Sequence, residues 1–289
     1  LIEAAVGGGI PIIEPLKQSL GGNRINKVSG IINGTTNYIL SRMDREGAAY
    51  QEVLTDAQKL GYAESDPAAD VEGLDAADKI SILSSLAFGG EIDRTKIPTE
   101  GINKLQSKDV NYAKKLGYGV KLLAISEQCK TTCGKNESIP LTVWVEPTLV
   151  PKDHPLSGVN GVNNGILVEG DPIGKVMFYG PGAGSGPTAS AVVADILNIA
   201  GIKLMGNANT ASRLDPLLSA EPWRSCHVAD EKEITQKNYV RLITKDTPGV
   251  IGSIGNIFGK NNVSIQSIMQ FDSSNLKAEI IVIKHKVSM

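Results

Sequence analysis

Residues 74 to 88 place Leu74, Ala76, Ala77, Ile80, Leu83 and Leu86 at helical spacing. An apolar stripe of that length has to be covered, so a buried helix is the fixed point around which the rest of the fold is arranged. The stretch 61 to 79 that opens it reads GYAESDPAADVEGLDAADK, crowding Glu64, Asp66, Asp70, Glu72, Asp75 and Asp78 around the helix start together with Lys79. Carboxylates so close in sequence repel one another unless they coordinate an ion, bind a cationic ligand or point into solvent. Asp75 and Lys79 stand four residues apart, on one helix face and within mutual reach. On an exposed helix that is an ordinary ion pair. Beside turns of Ala, Leu and Ile the pair is partly desolvated, the setting in which a lysine becomes a useful proton donor. Asp66 sits in an Asp-Pro turn, and Glu72 and Asp78 are expected to face water.

A chain of 289 residues holds about two domains and a sizeable core. With 41% hydrophobic and 21% charged residues it reads as a soluble globular protein. A net charge of −2 offers no attraction for nucleic acid or an anionic membrane surface. No window approaches the roughly 18 consecutive apolar residues of a spanning helix. The three cysteines, Cys129, Cys133 and Cys226, are an odd number without a secretory leader, which favours a reducing cytoplasm. Cys129 and Cys133 in EQCKTTCGKNES have the look of half a zinc site, but no second pair and no nearby His completes it, and a polar hairpin tip is the expectation. The chain begins LIEAAVGG without an initiator Met and is expected to be a piece of a longer protein.

Along the chain, an apolar run ending in GGG leads to Pro11 and the helical pattern PIIEPLKQSL, which GGN at 21 to 23 stops. INKVSGII is a strand, NGTTNYILSRMDREG a turn feeding a helix, and AAYQEVLTDAQKLG a helix closed by Gly61. SKDVNYAKKLGYG is a short helix. VKLLAISEQ and SIPLTVWVEPTLV form an antiparallel pair, and GILVEGDPIGKVMFYG adds two strands around an Asp-Pro turn. The glycine-rich GPGAGSG opens the helix PTASAVVADILNIA, with Pro187 in its first turn and Thr188 or Ser190 near the cap. A lone glycine turn before a helix is a weak phosphate signal, and no GxGxxG fingerprint after a strand is present. Residues 206 to 236, with Pro216, Pro222 and Trp223, read as a linker. A new unit follows: strand 239 to 244, a DTPG turn, a helix to about 259, strand 263 to 271, a DSSN turn and strand 277 to 284. Strands and helices intermixed in this way define an α/β chain built on an α+β sheet domain.

GYAESDPAADVEGLDAADK resembles the signature of homoserine dehydrogenases. IEAAVGGGIPII at 2 to 13, VSGIINGTTNYIL at 28 to 40 and YGPGAGSGPTASAVVADI at 179 to 196 resemble the same family in the same order. Four ordered motifs are more specific than any one alone. The carboxyl end is similar to an ACT domain, a ferredoxin-like module that binds amino acids, here lacking its second helix and last strand.

The resemblance implies a catalytic, substrate-binding and dimerisation domain over 1–178 and a returning segment of a Rossmann-type nucleotide-binding domain over 179–205, the main body of which lies outside the chain. A linker over 206–236 and a partial ACT domain over 237–289 complete the implied order. The implied activity is the NAD- or NADP-dependent interconversion of L-homoserine and L-aspartate 4-semialdehyde, on the route to threonine, methionine and isoleucine, in a cytoplasmic homodimer or larger assembly. By resemblance Glu64 and Asp75 hold the amino acid, and Lys79 is the proton donor or acceptor at the oxygen while hydride moves between carbon and nicotinamide. Asp70 supports Lys79 or the substrate, and Gly61 and Gly184 let the backbone approach the cofactor. A sodium-like ion falls on Glu3, Val6, Gly8 and Ile10, three of them through backbone oxygen. Asp246 and Gly249, with Pro248, form a turn at which a feedback amino acid such as threonine would bind. The NGTT turn at 33 to 36 borders the same cleft. Such a fragment is expected to be inactive alone. His154, His227 and His285 lack partner spacing and receive no role, while Tyr38 and Trp144 read as core or interface. Two other classes fit the residues: a divalent-metal-dependent lyase or hydrolase using the acidic cluster, and an amino-acid sensor in which only the ACT-like module works.

Overall fold

Six segments, the central ones buried in continuous runs, pair into one sheet: β1 (Arg24–Ile31), β2 (Tyr118–Gln128), β3 (Ile139–Pro151), β4 (Asn163–Asp171), β5 (Gly174–Pro181) and β6 (Cys226–Val228). The order is β5-β4-β1-β2-β3-β6, antiparallel throughout except that β6 runs parallel to β3. The computed structural model describes residues 3–129, 138–205, 226–271 and 277–288. The hairpin tip with Cys133, the segment holding Pro216, Pro222 and Trp223, and the DSSN turn lie outside the described residues. The chain divides into Leu1–Ala229, built on this sheet, and Asp230–Met289.

The helix expected at 74 to 88 is α5 (Leu74–Phe88). It buries Ala76, Ala77, Ile80, Leu83 and Phe88 in a cluster that includes Val28 of β1, Leu122 and Ala124 of β2, and Val143 and Val145 of β3. Leu74, at the first turn, stays exposed, and Leu86 is only partly covered. Against it pack α1 (Ile13–Lys17) and α4 (Ala68–Val71), while α2 (Gly34–Glu46) packs on α4, α3 (Tyr50–Lys59) and α6 (Ser107–Lys115). A last helix, α7 (Ser185–Met205), buries Ala191 but leaves Val192, Val193, Ile196 and Leu197 exposed.

Three local expectations need correction. The helix expected from Pro11 is only α1, and its start is capped by the Glu3 carboxylate, which accepts from the backbone N–H groups of Ile12, Ile13 and Glu14. α7 begins at Ser185, and the Thr188 N–H already donates to the Gly184 carbonyl at 3.0 Å, so neither Thr188 nor Ser190 caps it. Residues 226–228, inside the stretch read as linker, extend the sheet as β6, with Cys226 buried and its thiol pushed up to about 11 by burial.

The second unit carries β8 (Tyr239–Lys245), α8 (Val250–Lys260), β9 (Ile265–Phe271) and β10 (Lys277–Lys284), with the antiparallel order β8-β10-β9. Ile254 of α8 packs with Ala278, Ile280 and Val282 of β10. A short pair, β7 (Thr235–Gln236) with β11 (Val287–Ser288), completes it. Among the described residues no helix is long and apolar enough to cross a membrane.

Candidate active site

The site begins at Asn33, just after β1. Its backbone is extended and it is the N-cap of α2: Oδ1 accepts from Thr36 N at 2.9 Å and Thr36 Oγ1 at 2.9 Å. The other end of the same amide donates to Asp70 Oδ1 at 2.7 Å and to Asp75 Oδ2 at 2.9 Å. Lys79 Nζ donates to that same Asp75 oxygen at 2.7 Å and to the Ile32 carbonyl at 3.1 Å. The Asp75 and Lys79 side chains keep 30% and 21% of their surface exposed, enough for a small polar ligand to reach them.

A single glycine makes this convergence. Gly73 joins α4 to α5 at φ 83°, a left-handed conformation, and a Cβ there would press within 3.3 Å of both Thr99 Cγ2 and Val145 Cγ1. The sharp turn brings Asp70, at the end of α4, beside Asp75 in the first turn of α5, where the helix dipole favours a carboxylate.

The remaining acidic residues disperse. Asp66 Oδ1 accepts from Ala68 N at 3.1 Å, stabilising its turn. Glu72 is exposed, and Asp78 is paired with Arg94 Nε at 2.6 Å. Glu64 is exposed; its backbone carbonyl accepts from Gln58 Nε2, and among the described residues no hydrogen bond joins its carboxylate to Asp75 or Lys79. No group of three His, Cys, Asp or Glu side chains among the described residues is arranged to hold a metal ion, so the acidic stretch has no ligand set for a divalent ion.

Gly61 ends α3: its N–H donates to Gln58 O, Tyr62 N–H reaches back to Ala57 O, and a Cβ at Gly61 would meet nothing within 4 Å. Thr35 Oγ1 donates to the Tyr62 carbonyl at 2.6 Å, tying this turn to the start of α2. Gly184, at φ 120°, supplies the carbonyl that starts α7. Tyr38 packs on Tyr62 with ring centroids 5.0 Å apart.

Within residues 3 to 10, Glu3 is buried and its carboxylate is fully engaged: Oε1 accepts from Ile12 N (2.6 Å) and Ile13 N (2.9 Å), and Oε2 from Glu14 N (2.8 Å). Ile10 N closes a turn onto Gly7 O at 2.9 Å, between the buried Val6 and Ile10 side chains. Gly8, at φ 55°, lies so close to the glycine loop that a Cβ would sit 2.4 Å from the Gly182 carbonyl oxygen. Against Gly182 lies Asn164, which is 1% exposed and whose Oδ1 has no partner among the described residues. In the second unit, Asp246 Oδ1 accepts from Gln270 Nε2 at 3.1 Å, and Gly249 is the N-cap of α8 at φ 90°. His154 Nδ1 accepts from Leu156 N, a purely local cap.

Asn33 is the residue that sequence reasoning left at the border of the cleft. Its signal was an Asn placed between a strand and a helix; its aspartate partners, 37 and 42 positions away, leave no local pattern.

A family profile described as "Homoserine dehydrogenase" matches residues 11–197, and one described as "ACT domain" matches residues 238–286. A curated homoserine dehydrogenase of Synechocystis sp. is 56% identical over 287 residues, 99% of this chain and 65% of that protein. One of Neisseria gonorrhoeae is 44% identical over 288 residues, 98% of this chain and 63% of its own length. Among solved structures, a homoserine dehydrogenase from Thiobacillus denitrificans superposes with a TM-score of 0.85 at 40% identity, covering 99% of this chain and 63% of that one. A hyperthermophilic archaeal homoserine dehydrogenase in complex with NADPH gives 0.53 at 30% identity, over 68% of this chain and 53% of that one. The chain belongs to the homoserine dehydrogenase family and carries an ACT domain after the family region. It spans just under two thirds of the length of these curated relatives.

Proposed function

We propose that this chain supplies the substrate-binding and proton-transferring part of an NAD(P)-dependent homoserine dehydrogenase, an oxidoreductase of amino-acid biosynthesis acting in the cytoplasm. The observation that carries this reading is the network of Lys79, Asp75, Asp70 and Asn33. Two of the three Lys79 ammonium hydrogens are already placed, on Asp75 and on the Ile32 carbonyl, which leaves one for a substrate oxygen. In the reductive direction that hydrogen goes to the oxygen of L-aspartate 4-semialdehyde as it becomes an alkoxide; in reverse the group takes the proton from the L-homoserine hydroxyl. Asp75 orients the ammonium, and with Glu64 it faces the substrate's own ammonium group; Glu64, exposed here, closes onto a bound amino acid.

The nicotinamide cofactor, when bound, supplies or accepts the hydride. The residues fit it. The open side of Gly61 admits close backbone approach, and Gly184 stands at the N-terminus of a 21-residue helix, a favourable place for an anionic group. The exposed apolar face of α7 supports its assignment to a nucleotide-binding domain. Residues 3 to 10 suit a monovalent cation held by neutral oxygens. Because the Glu3 carboxylate is committed to α1, Glu3 would contribute its carbonyl, as would Val6, Gly8 and Ile10. Asp246 and Gly249 would receive a regulatory amino acid such as threonine.

The test is Lys79→Ala in the full-length enzyme, assayed by nicotinamide absorbance and by cofactor binding. Turnover falls about 100-fold or more while cofactor affinity is nearly unchanged. Retained turnover removes Lys79 from the chemistry, and no nicotinamide-linked turnover of homoserine by the parent protein removes the reading altogether.

A further inference from the structure

We propose that Asn33 is a positioning residue for this reaction: its side-chain amide holds Asp70 and Asp75 side by side and thereby fixes where Lys79 presents its ammonium. The inference rests on the reading of Lys79 as the proton-transferring group.

The amide is saturated. Both of its hydrogens are spent, one on each aspartate, and its oxygen takes both the Thr36 N–H and the Thr36 hydroxyl. Exchanging the amide's oxygen and nitrogen would set an acceptor against two carboxylates and a donor against the Thr36 N–H, so chemistry allows only one orientation. Asn33 is 5% exposed, and water does not compete for these bonds. Two neighbouring carboxylates repel; a neutral double donor between them removes the repulsion without adding a charge that would compete with Lys79. Asp75 Oδ2, fixed by the amide, is the oxygen that receives Lys79, and the second Lys79 acceptor is the carbonyl of Ile32, the residue before Asn33. The end of β1 thus holds the aspartates by a side chain and the lysine by a backbone oxygen. Its position is set in turn by the capping bond that starts α2.

Capping and bridging use opposite ends of one side chain, so variants separate them. Asn33→Ser keeps an N-cap oxygen but has no donor that spans both aspartates. Asn33→Asp keeps the cap and replaces the donor with a third carboxylate. In the full-length enzyme both should keep the same KM for the nicotinamide cofactor, while kcat falls about 30-fold or more in Asn33→Ser and further in Asn33→Asp. Asn33→Ser should keep a thermal midpoint close to the parent's, and Asn33→Asp, which buries a third carboxylate, should lower it. A kcat for Asn33→Ser within about threefold of the parent overturns the proposal. So does a collapse of the midpoint in Asn33→Ser, which would make Asn33 structural. Lys79→Ala, measured alongside, separates the two failures: if it too retains turnover, the reading of Lys79 is wrong, and if it alone loses turnover, only the role of Asn33 is.

Discussion

Lys79 meets a carboxylate; Lys121 does not. Its side chain enters the interior from β2 and is 4% exposed. Nζ donates to Asn37 Oδ1 at 3.3 Å, to Asn160 Oδ1 at 3.0 Å and to the Val159 carbonyl, so each ammonium hydrogen has an acceptor and none of the three acceptors is charged. Loss of hydration pulls its pKa down to about 8 from the usual 10.5, with only the negative charge of Asp44 opposing. The sign of the consequence follows from linkage. Below pH 8 the ammonium is charged whether the chain is folded or not, and the folded state bears the desolvation cost. Between 8 and 10.5 the unfolded chain still holds the proton that the folded chain has released, so stability rises with pH across that window. The rise attributable to this group is about 3 kcal/mol at most. Urea unfolding of the parent and of Lys121→Met between pH 7.5 and 10 isolates it, since the Cys226 contribution of opposite slope is common to both. Parallel stability curves for the two proteins would remove the assignment. Nothing in VKLLAISEQ marks Lys121 as special, because its acceptors come from α2 and from the loop before β4.

At the scale of elements, what the sequence disclosed was whatever periodicity and punctuation control. α5 buries one repeating face, and β2, β3 and β4 are short apolar runs buried almost continuously; both patterns are written in consecutive residues and bounded by turn residues such as Asp171 and Pro172. The sharp features were not readable in that way. β6 is three residues long and carries no period; it exists because β3 offers it an edge. Glu3 looked like a cation ligand, and only the fold places its carboxylate on the start of α1. This last point sharpens the expectation for residues 3 to 10. With the carboxylate engaged, an ion there would be held by neutral carbonyls in a turn packed on the glycine loop, beside an Asn164 oxygen that has no partner among the described residues. Such a donor set suits a weakly charged ion. Crystals of the full-length enzyme soaked in rubidium should show anomalous density within the turn of residues 3 to 10, and no density there at saturating ion would withdraw the cation.

At the scale of the molecule, the boundary between Ala229 and Asp230 separates two cores. Every residue of the proposed dehydrogenase site, from Glu3 to Gly184, lies before it, while Asp246 and Gly249 lie after it with a cluster of their own around Ile254, Ile280 and Val282. If catalysis and regulation are divided in the same way, removing the second unit should uncouple them. The full-length enzyme truncated after Ala229 is therefore expected to keep turnover within about threefold of the parent, because no group that touches substrate is lost. It should also lose any response of the initial rate to threonine, together with any heat of threonine binding that calorimetry of the parent records. A parent that binds no threonine would remove threonine as the ligand of the module. A truncated enzyme that folds but has lost turnover would show that the second unit contributes to the active site itself, and the division of labour proposed for the two units would then be wrong.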